Sequence, residues 1–290
     1  MVAAPRRAHL AALGAALLLA VCVPAARAGT LVHHAFRSAV LGREWKLAVY
    51  IPDGHGAARG AFPVLYLLHG YGGIEDDWVN AGDVVRTADS LIAGGHVPPL
   101  VIVMPDGGNS WWVDGPEQVG TAFIEDLIPY VEKTWRVAPR REARMIAGLS
   151  MGGYGALRFA LLHPRVFAAA ALFSPAIYDS VPPQTSGARK AGVFGGPTFD
   201  EAAWQAMNWP AQWDAYRAAG VPVPVWILCG DDDDFRLERE AAQLYQRFRA
   251  DSLPAELRIF DGGHNWAVWK RGLADALPWM IEAAGRAAPR

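Results

Sequence analysis

The residues most able to do chemistry in this chain are Gly148-Leu149-Ser150-Met151-Gly152. They lie between the strand-like run Ala143-Arg144-Met145-Ile146-Ala147 and the small-residue stretch Gly153-Tyr154-Gly155-Ala156-Leu157. The pattern is G-x-S-x-G, in which a strand turns sharply into a helix and lifts a serine hydroxyl above the sheet edge. Side chains at the two glycines would collide with the neighbouring strand or helix in so tight a turn. The pattern alone is common; what gives it weight here is a strand before it, a helix after it and partner residues downstream. The chemistry it announces is nucleophilic attack by Ser150.

A serine nucleophile needs a base within hydrogen-bond reach and a carboxylate that orients the base. Where the serine sits on such an elbow, the three occur in the order serine, acid, histidine. Of eight histidines, only His264 follows a plausible acid, in Asp261-Gly262-Gly263-His264-Asn265-Trp266. That segment follows the last expected strand, so a loop can carry the imidazole back over the elbow. His163 reads as a helix terminus, and His33, His34, His55 and His96 sit in polar or loop-like settings. The acid belongs to the run Asp231-Asp232-Asp233-Asp234, after the strand-like Val225–Gly230. Four adjacent carboxylates repel one another, so a cation must compensate at least one, and an imidazolium would serve. A solvated acidic loop or a calcium site are the alternatives, although the spacing of an EF-hand loop is absent. Local physics leaves the position within the run open.

These groups must be held by regular elements. Mostly unbroken apolar runs predict strands at Lys46–Ile51, Val64–Leu68, Leu100–Met104, Arg144–Ala147, Ala168–Phe173, Val223–Cys229 and Leu257–Phe260. Helical patterns lie between them, at Asp83–Ala93, Ala122–Trp135, Gly153–His163, Glu201–Ala218, Glu238–Ala250 and Gly272–Ala284. This alternation predicts an α/β fold, a doubly wound and mostly parallel sheet with helices on both faces. The Pro- and Gly-rich stretch Pro175–Pro197 is long for a connector and predicts an excursion at the rim of the site.

The first 28 residues have the form of a signal peptide. Arg6 and Arg7 precede the apolar Leu10–Val23, and Ala26-Arg27-Ala28 offers a small-x-small cleavage site before Gly29. Cleavage there would remove three arginines and no acidic residue, taking the net charge from −2 to −5 and leaving a single domain, 29–290. The expectation is a periplasmic or secreted protein with no membrane span after cleavage. Mild acidity without a basic run argues against a nucleic-acid partner. Only Cys229 would remain, inside an apolar strand pattern, which predicts a buried small hydrophobe and no disulfide. Nothing in the pattern calls for a metal or cofactor, and oligomeric state is not encoded legibly.

Four segments together resemble the esterase family of α/β-hydrolases. They are His69-Gly70-Tyr71-Gly72-Gly73, Met104-Pro105-Asp106-Gly107-Gly108, Gly148 to Leu157, and Gly263-His264-Asn265-Trp266-Ala267-Val268-Trp269. That family includes S-formylglutathione hydrolases, feruloyl and acetyl xylan esterases, and secreted mycolyltransferases. The resemblance, running from about Trp45 to Trp279, implies the α/β-hydrolase fold and a triad of Ser150, Asp233 and His264. Asp233 is selected because the family's acid lies three residues beyond a strand-ending glycine, here Gly230, with Phe close behind. The resemblance also implies an oxyanion hole from the backbone N–H groups of Tyr71 and Met151. His69 is read as a brace for the glycine loop in preference to a base. Among twelve tryptophans, Trp78, Trp111, Trp112 and Trp266 are candidates for substrate binding at the rim, with Trp204 or Trp209 possible additions. The expected activity is hydrolysis of short-chain, aryl or sugar-linked esters. Transfer of the acyl group to a sugar or other alcohol, and a catalytically silent glycan-binding protein, are the competing readings.

Overall fold

A computed structural model describes residue 1, residues 28–56 and residues 60–287. The expected leader, Met1 and Ala28 apart, lies outside the described residues. Eight strands form one sheet: β1 (Thr30–Arg37), β2 (Glu44–Ile51), β3 (Val64–Leu68), β4 (Val101–Pro105), β5 (Arg144–Leu149), β6 (Ala169–Phe173), β7 (Val225–Gly230) and β8 (Ala255–Phe260). Their order is β1-β2-β4-β3-β5-β6-β7-β8. β2 pairs antiparallel with β1 and β4, and every other pairing is parallel.

The helices are α1 (Asp77–Asn80), α2 (Val84–Ala93), α3 (Val119–Ala122), α4 (Ile128–Thr134), α5 (Met151–Leu162), α6 (Glu201–Met207), α7 (Trp209–Ala218), α8 (Leu237–Ala250) and α9 (Trp266–Arg286). Strands β3, β4, β6 and β7 are buried at every residue, which is why their sequences run apolar without alternation. Alternate residues still serve opposite faces. Tyr66, Ile146, Leu172 and Ile227 pack with α5 and α8, while Leu65, Met145, Ala171 and Leu228 pack with α2 and α9. No helix among the described residues is long and apolar enough to cross a membrane.

Four elements depart from the sequence-based expectation. β1 was not expected, because at the sheet edge only Phe36 of its eight residues is buried and no apolar run results. It also takes His33 and His34 out of a loop and into a strand. The expected helix Glu201–Ala218 is two helices, broken where Asn208 is extended ahead of Pro210. The expected helix Ala122–Trp135 contains a π-helical turn at Phe123–Leu127. Finally, α9 starts six residues earlier than its apolar pattern, because Asn265 caps it by accepting hydrogen bonds from the Ala267 and Val268 N–H groups.

β3 leads to β4 on one side of itself, and β5 leads to β6 on the other. The carboxyl ends of β3 and β5 therefore flank the switch point where such sheets keep their ligand crevice. The loop after Leu68 and the turn at Ser150 both emerge there.

Candidate active site

Ser150 occupies the turn between β5 and α5 with φ 53° and ψ −116°. Non-glycine residues avoid that conformation, at a cost of roughly 1–3 kcal/mol. The surrounding bonds hold it. The Ser150 N–H donates to the Phe173 carbonyl at 2.8 Å, and its own carbonyl accepts from Tyr154 at 3.0 Å and Ala176 at 3.1 Å. The flanking glycines have the steric role anticipated for them. A β-carbon on Gly148 would stand 2.4 Å from the Gly152 backbone, and one on Gly152 would stand 2.5 Å from the Leu68 carbonyl oxygen.

Asp233 is the member of the acidic run that turns inward. It is buried, and its Oδ2 lies 2.7 Å from His264 Nδ1 while Oδ1 accepts from the Phe235 N–H at 2.9 Å. Burial pushes the carboxyl up. The hydrogen bond from His264, the charge of that ring and the N–H groups of Phe235 and Leu237 outweigh it, and the net shift is downward. The flanking carboxylates Asp231, Asp232 and Asp234 are exposed. Asp231 instead accepts from the Gly262 N–H at 3.0 Å. Asp231, Asp232 and Asp261 bring exposed carboxylate oxygens within 4.8 Å of one another, an arrangement that by itself assigns no metal.

His264 sits in the short loop between β8 and α9, with Phe235 and Trp269 edge-on to its ring at 4.9 and 5.0 Å. With Nδ1 engaged by Asp233, Nε2 is the nitrogen left for a substrate or nucleophile. His264 and Ser150 line the same cavity of about 330 Å³ at the carboxyl edge of the sheet. No hydrogen bond joins their side chains in this geometry, as is common before substrate draws such groups together.

The loop after β3 lies directly against the elbow. A β-carbon on Gly70 would stand 2.7 Å from the Leu149 side chain and 3.5 Å from Ser150 Cβ, so only glycine allows this approach. The next residue, Tyr71, has a backbone N–H with no acceptor among the described residues. The Met151 N–H is the first of α5, one of the donors that a helix start leaves free.

His69 is buried beneath this loop. Its Nδ1–H donates to the Gly70 carbonyl at 2.7 Å, and Nε2 accepts from the Gly107 N–H at 2.9 Å. Both nitrogens are thus used in bracing two loops, and neither is free to take a proton from Ser150. Burial drives its protonation below the ordinary imidazole range, partly opposed by the Gly70 carbonyl and by Asp106. The unfolded chain would bind that proton near the ordinary value of 6.5, so folding loses stability as pH falls below 6.5 towards the lowered value. The melting temperature of the wild type should therefore fall more steeply from pH 6.5 to 5 than that of His69→Gln. His163, also lowered by burial and by Arg158, supplies a slope common to both. Parallel curves would show that His69 does not set this dependence.

The tryptophans separate into two groups. Trp111 and Trp266 line the cavity. Trp78 and Trp112 do not, and the structure corrects their expected place at the rim. Trp78 is buried against Phe173 and Trp266, with Nε1 donating to the Leu68 carbonyl at 3.0 Å. Trp112 is wholly buried against His69 and Phe123, and closes on Gly107 and Gly155. Trp204 is likewise interior. Sequence reasoning missed Tyr178, Phe235 and Trp269, which also line the cavity. Trp269 falls one helical turn beyond Trp266, a spacing that signals its position only once α9 is known to begin at Trp266. Besides Tyr178, the excursion after β6 contributes Thr185, Ser186, Gly187 and Lys190 to the lining.

Residues 38–280 match the family model described as "Putative esterase". The chain belongs to the esterase family. It is 32% identical over 205 residues to Esterase Rv1288 of Mycobacterium tuberculosis (strain ATCC 25618 / H37Rv), covering 64% of this chain and 44% of that protein. The chain thus spans less than half the length of that relative. It is 26% identical over 232 residues to an acetyl esterase of Caldicellulosiruptor saccharolyticus, covering 76% of this chain and 84% of the relative. A solved ferulic acid esterase superposes with a TM-score of 0.77 at 29% identity, covering 88% of this chain and 99% of that one. The eight-stranded sheet is accordingly an α/β-hydrolase fold, as the four sequence segments implied.

Proposed function

We propose that the protein is an exported serine carboxylesterase whose triad is Ser150, His264 and Asp233. The observation that carries the reading is the 2.7 Å bond from the buried Asp233 to His264, whose free nitrogen opens into the cavity holding Ser150. In this mechanism Ser150 Oγ attacks the ester carbonyl carbon while His264 Nε2 takes the hydroxyl proton. Asp233 holds the imidazole in the Nδ1–H tautomer and stabilises the imidazolium that forms. The Tyr71 and Met151 N–H groups receive the tetrahedral oxyanion. His264 then protonates the departing alcohol, leaving an acyl group on Ser150. Water, activated by the same imidazole, attacks the acyl-enzyme and frees the carboxylic acid.

The proposed substrates are esters of short or aromatic acyl groups, including sugar-linked ones. Support comes from a cavity of about 330 Å³ walled by Trp111, Tyr178, Phe235, Trp266 and Trp269, which suits a compact or planar acyl group better than an extended chain. The excursion wall is polar, and the exposed Lys190 stands at its edge. Location outside the cytoplasm rests on the leader-like segment 1–28. A series of p-nitrophenyl esters from two to sixteen carbons, with feruloyl and acetylated-sugar esters alongside, tests the reading. The expected kcat/KM maximum lies at or below about eight carbons or on an aryl ester, as a cavity of this size dictates. A maximum at twelve carbons or beyond would reject the compact-acyl assignment.

A further inference from the structure

Behind Asp233 lies a line of buried polar groups for which ester hydrolysis, as set out above, has no use. Trp269 Nε1 is 3.1 Å from Ser174 Oγ, Ser174 Oγ is 3.7 Å from Cys229 Sγ, and Cys229 Sγ is 3.6 Å from Asp233 Oδ2. The four residues come from α9, the end of β6, β7 and the loop after β7. Ser174 and Cys229 are inaccessible to water, and the acceptors within reach of their protons are one another and, for the thiol, Asp233.

The direction of the line follows from its two ends. An indole N–H can only donate, so Ser174 Oγ accepts from Trp269. A carboxylate can only accept, so the thiol proton goes to Asp233 Oδ2. A thiol has one proton, which leaves Cys229 Sγ to accept from the Ser174 hydroxyl. Ser174 and Cys229 then each donate once and accept once. Burial and the nearby Asp233 charge push the Cys229 thiol up, so it retains the proton it donates. Ser174 is fixed for this role by its backbone, a positive φ of 41° on a non-glycine residue, with its N–H donating to the Leu228 carbonyl at 2.6 Å.

We propose that Cys229 is a positioning residue: with Ser174 and Trp269 it forms a directed hydrogen-bond chain that supplies Asp233 Oδ2 with a second donor and aims the carboxylate at His264. The inference rests on the triad reading and deepens it. Oδ2 is the same oxygen that receives His264 Nδ1–H, so the thiol shares the carboxylate charge with the imidazole. The other charged or titratable groups facing this pair are Glu238 and Glu240 at the start of α8, Tyr178 from the excursion, and Asp77 and Lys190 across the cavity. All of them stay in place when Cys229 is changed.

The test uses the full-length protein after export, with kcat and KM for a p-nitrophenyl ester measured from pH 4.5 to 9. Cys229→Ala and Cys229→Val remove the donor, the second without leaving a void. Both should lower kcat about fivefold, the rate equivalent of one hydrogen bond, with KM little changed. Both should also move the acidic limb of kcat/KM to higher pH by about half a unit, because a carboxylate with one donor fewer holds the imidazole proton more firmly. Cys229→Ser keeps a donor and should restore the limb. A limb that stays at its wild-type position in both donor-less variants overturns the proposal, whatever happens to the melting temperature. So does a shift in Cys229→Ser equal to that in Cys229→Ala. Asp233→Asn serves as the control: if it is inactive, an unmoved limb rejects the chain alone, and if it is fully active the triad reading fails and takes the chain with it.

Discussion

Ser150→Ala is expected to lower kcat for ester hydrolysis by about 10³-fold or more while leaving the melting temperature nearly unchanged. The rate falls because the substitution removes the hydroxyl proposed as nucleophile, on the elbow that shares the cavity with His264. The fold survives because alanine keeps the β-carbon, and the strained φ of 53° is imposed by the backbone bonds to Phe173, Tyr154 and Ala176. A fluorophosphonate probe read by intact mass should add one adduct to the wild type and none to Ser150→Ala. An adduct on another serine, or substantial activity in the variant, would remove Ser150 from the nucleophile's role.

The second large effect is expected at Asp233. Asp233→Asn should depress kcat by roughly 10³- to 10⁴-fold, since an amide can offer its N–H to Nδ1 and stabilise the wrong imidazole tautomer. Asp231→Asn, by contrast, should stay within about twofold, as exposed substitutions usually do. Its carboxylate accepts from the Gly262 N–H and does not reach the imidazole. Comparing kcat for the four single Asp→Asn variants at 231 to 234 makes the assignment. Loss at Asp232 or Asp234 with retention at Asp233 would move the acid along the run, and loss of activity on chelation would point to calcium instead.

The sheet could be read in the sequence because its central strands are covered on both faces, and short unbroken apolar runs such as Val64–Leu68 are what that burial demands. The elbow could be read for a related reason: Gly148 and Gly152 are required by contact, so the residues announce the turn. Less was legible where tertiary contact decides. β1 pairs at the edge through its backbone, and its exposed side chains carry no pattern. Choosing Asp233 from four identical neighbours needed a family spacing, since only the turn after β7 determines which carboxylate faces inward. The tryptophans were hardest, because a loop tryptophan can either line a cavity or support it from beneath. Trp111 and Trp112 are adjacent, both with positive φ, yet Trp111 reaches the cavity while Trp112 is enclosed by Gly107 and Gly155.

The cavity has two walls of different origin. The proposed catalytic groups stand on the ends of β5, β7 and β8, whereas Thr185, Ser186, Gly187 and Lys190 all come from the one segment joining β6 to α6. That segment packs into the rest of the site at several points, among them Gly187 on the Tyr71 ring and Phe194 against Trp111. Part of the cavity lining is therefore written in a stretch of the gene that carries no member of the proposed triad. Substitutions at the lining positions Thr185 and Lys190 should retune which alcohol or acyl group is admitted without altering a residue proposed to handle protons. A library confined to those positions would explore new substrates on an unaltered reaction.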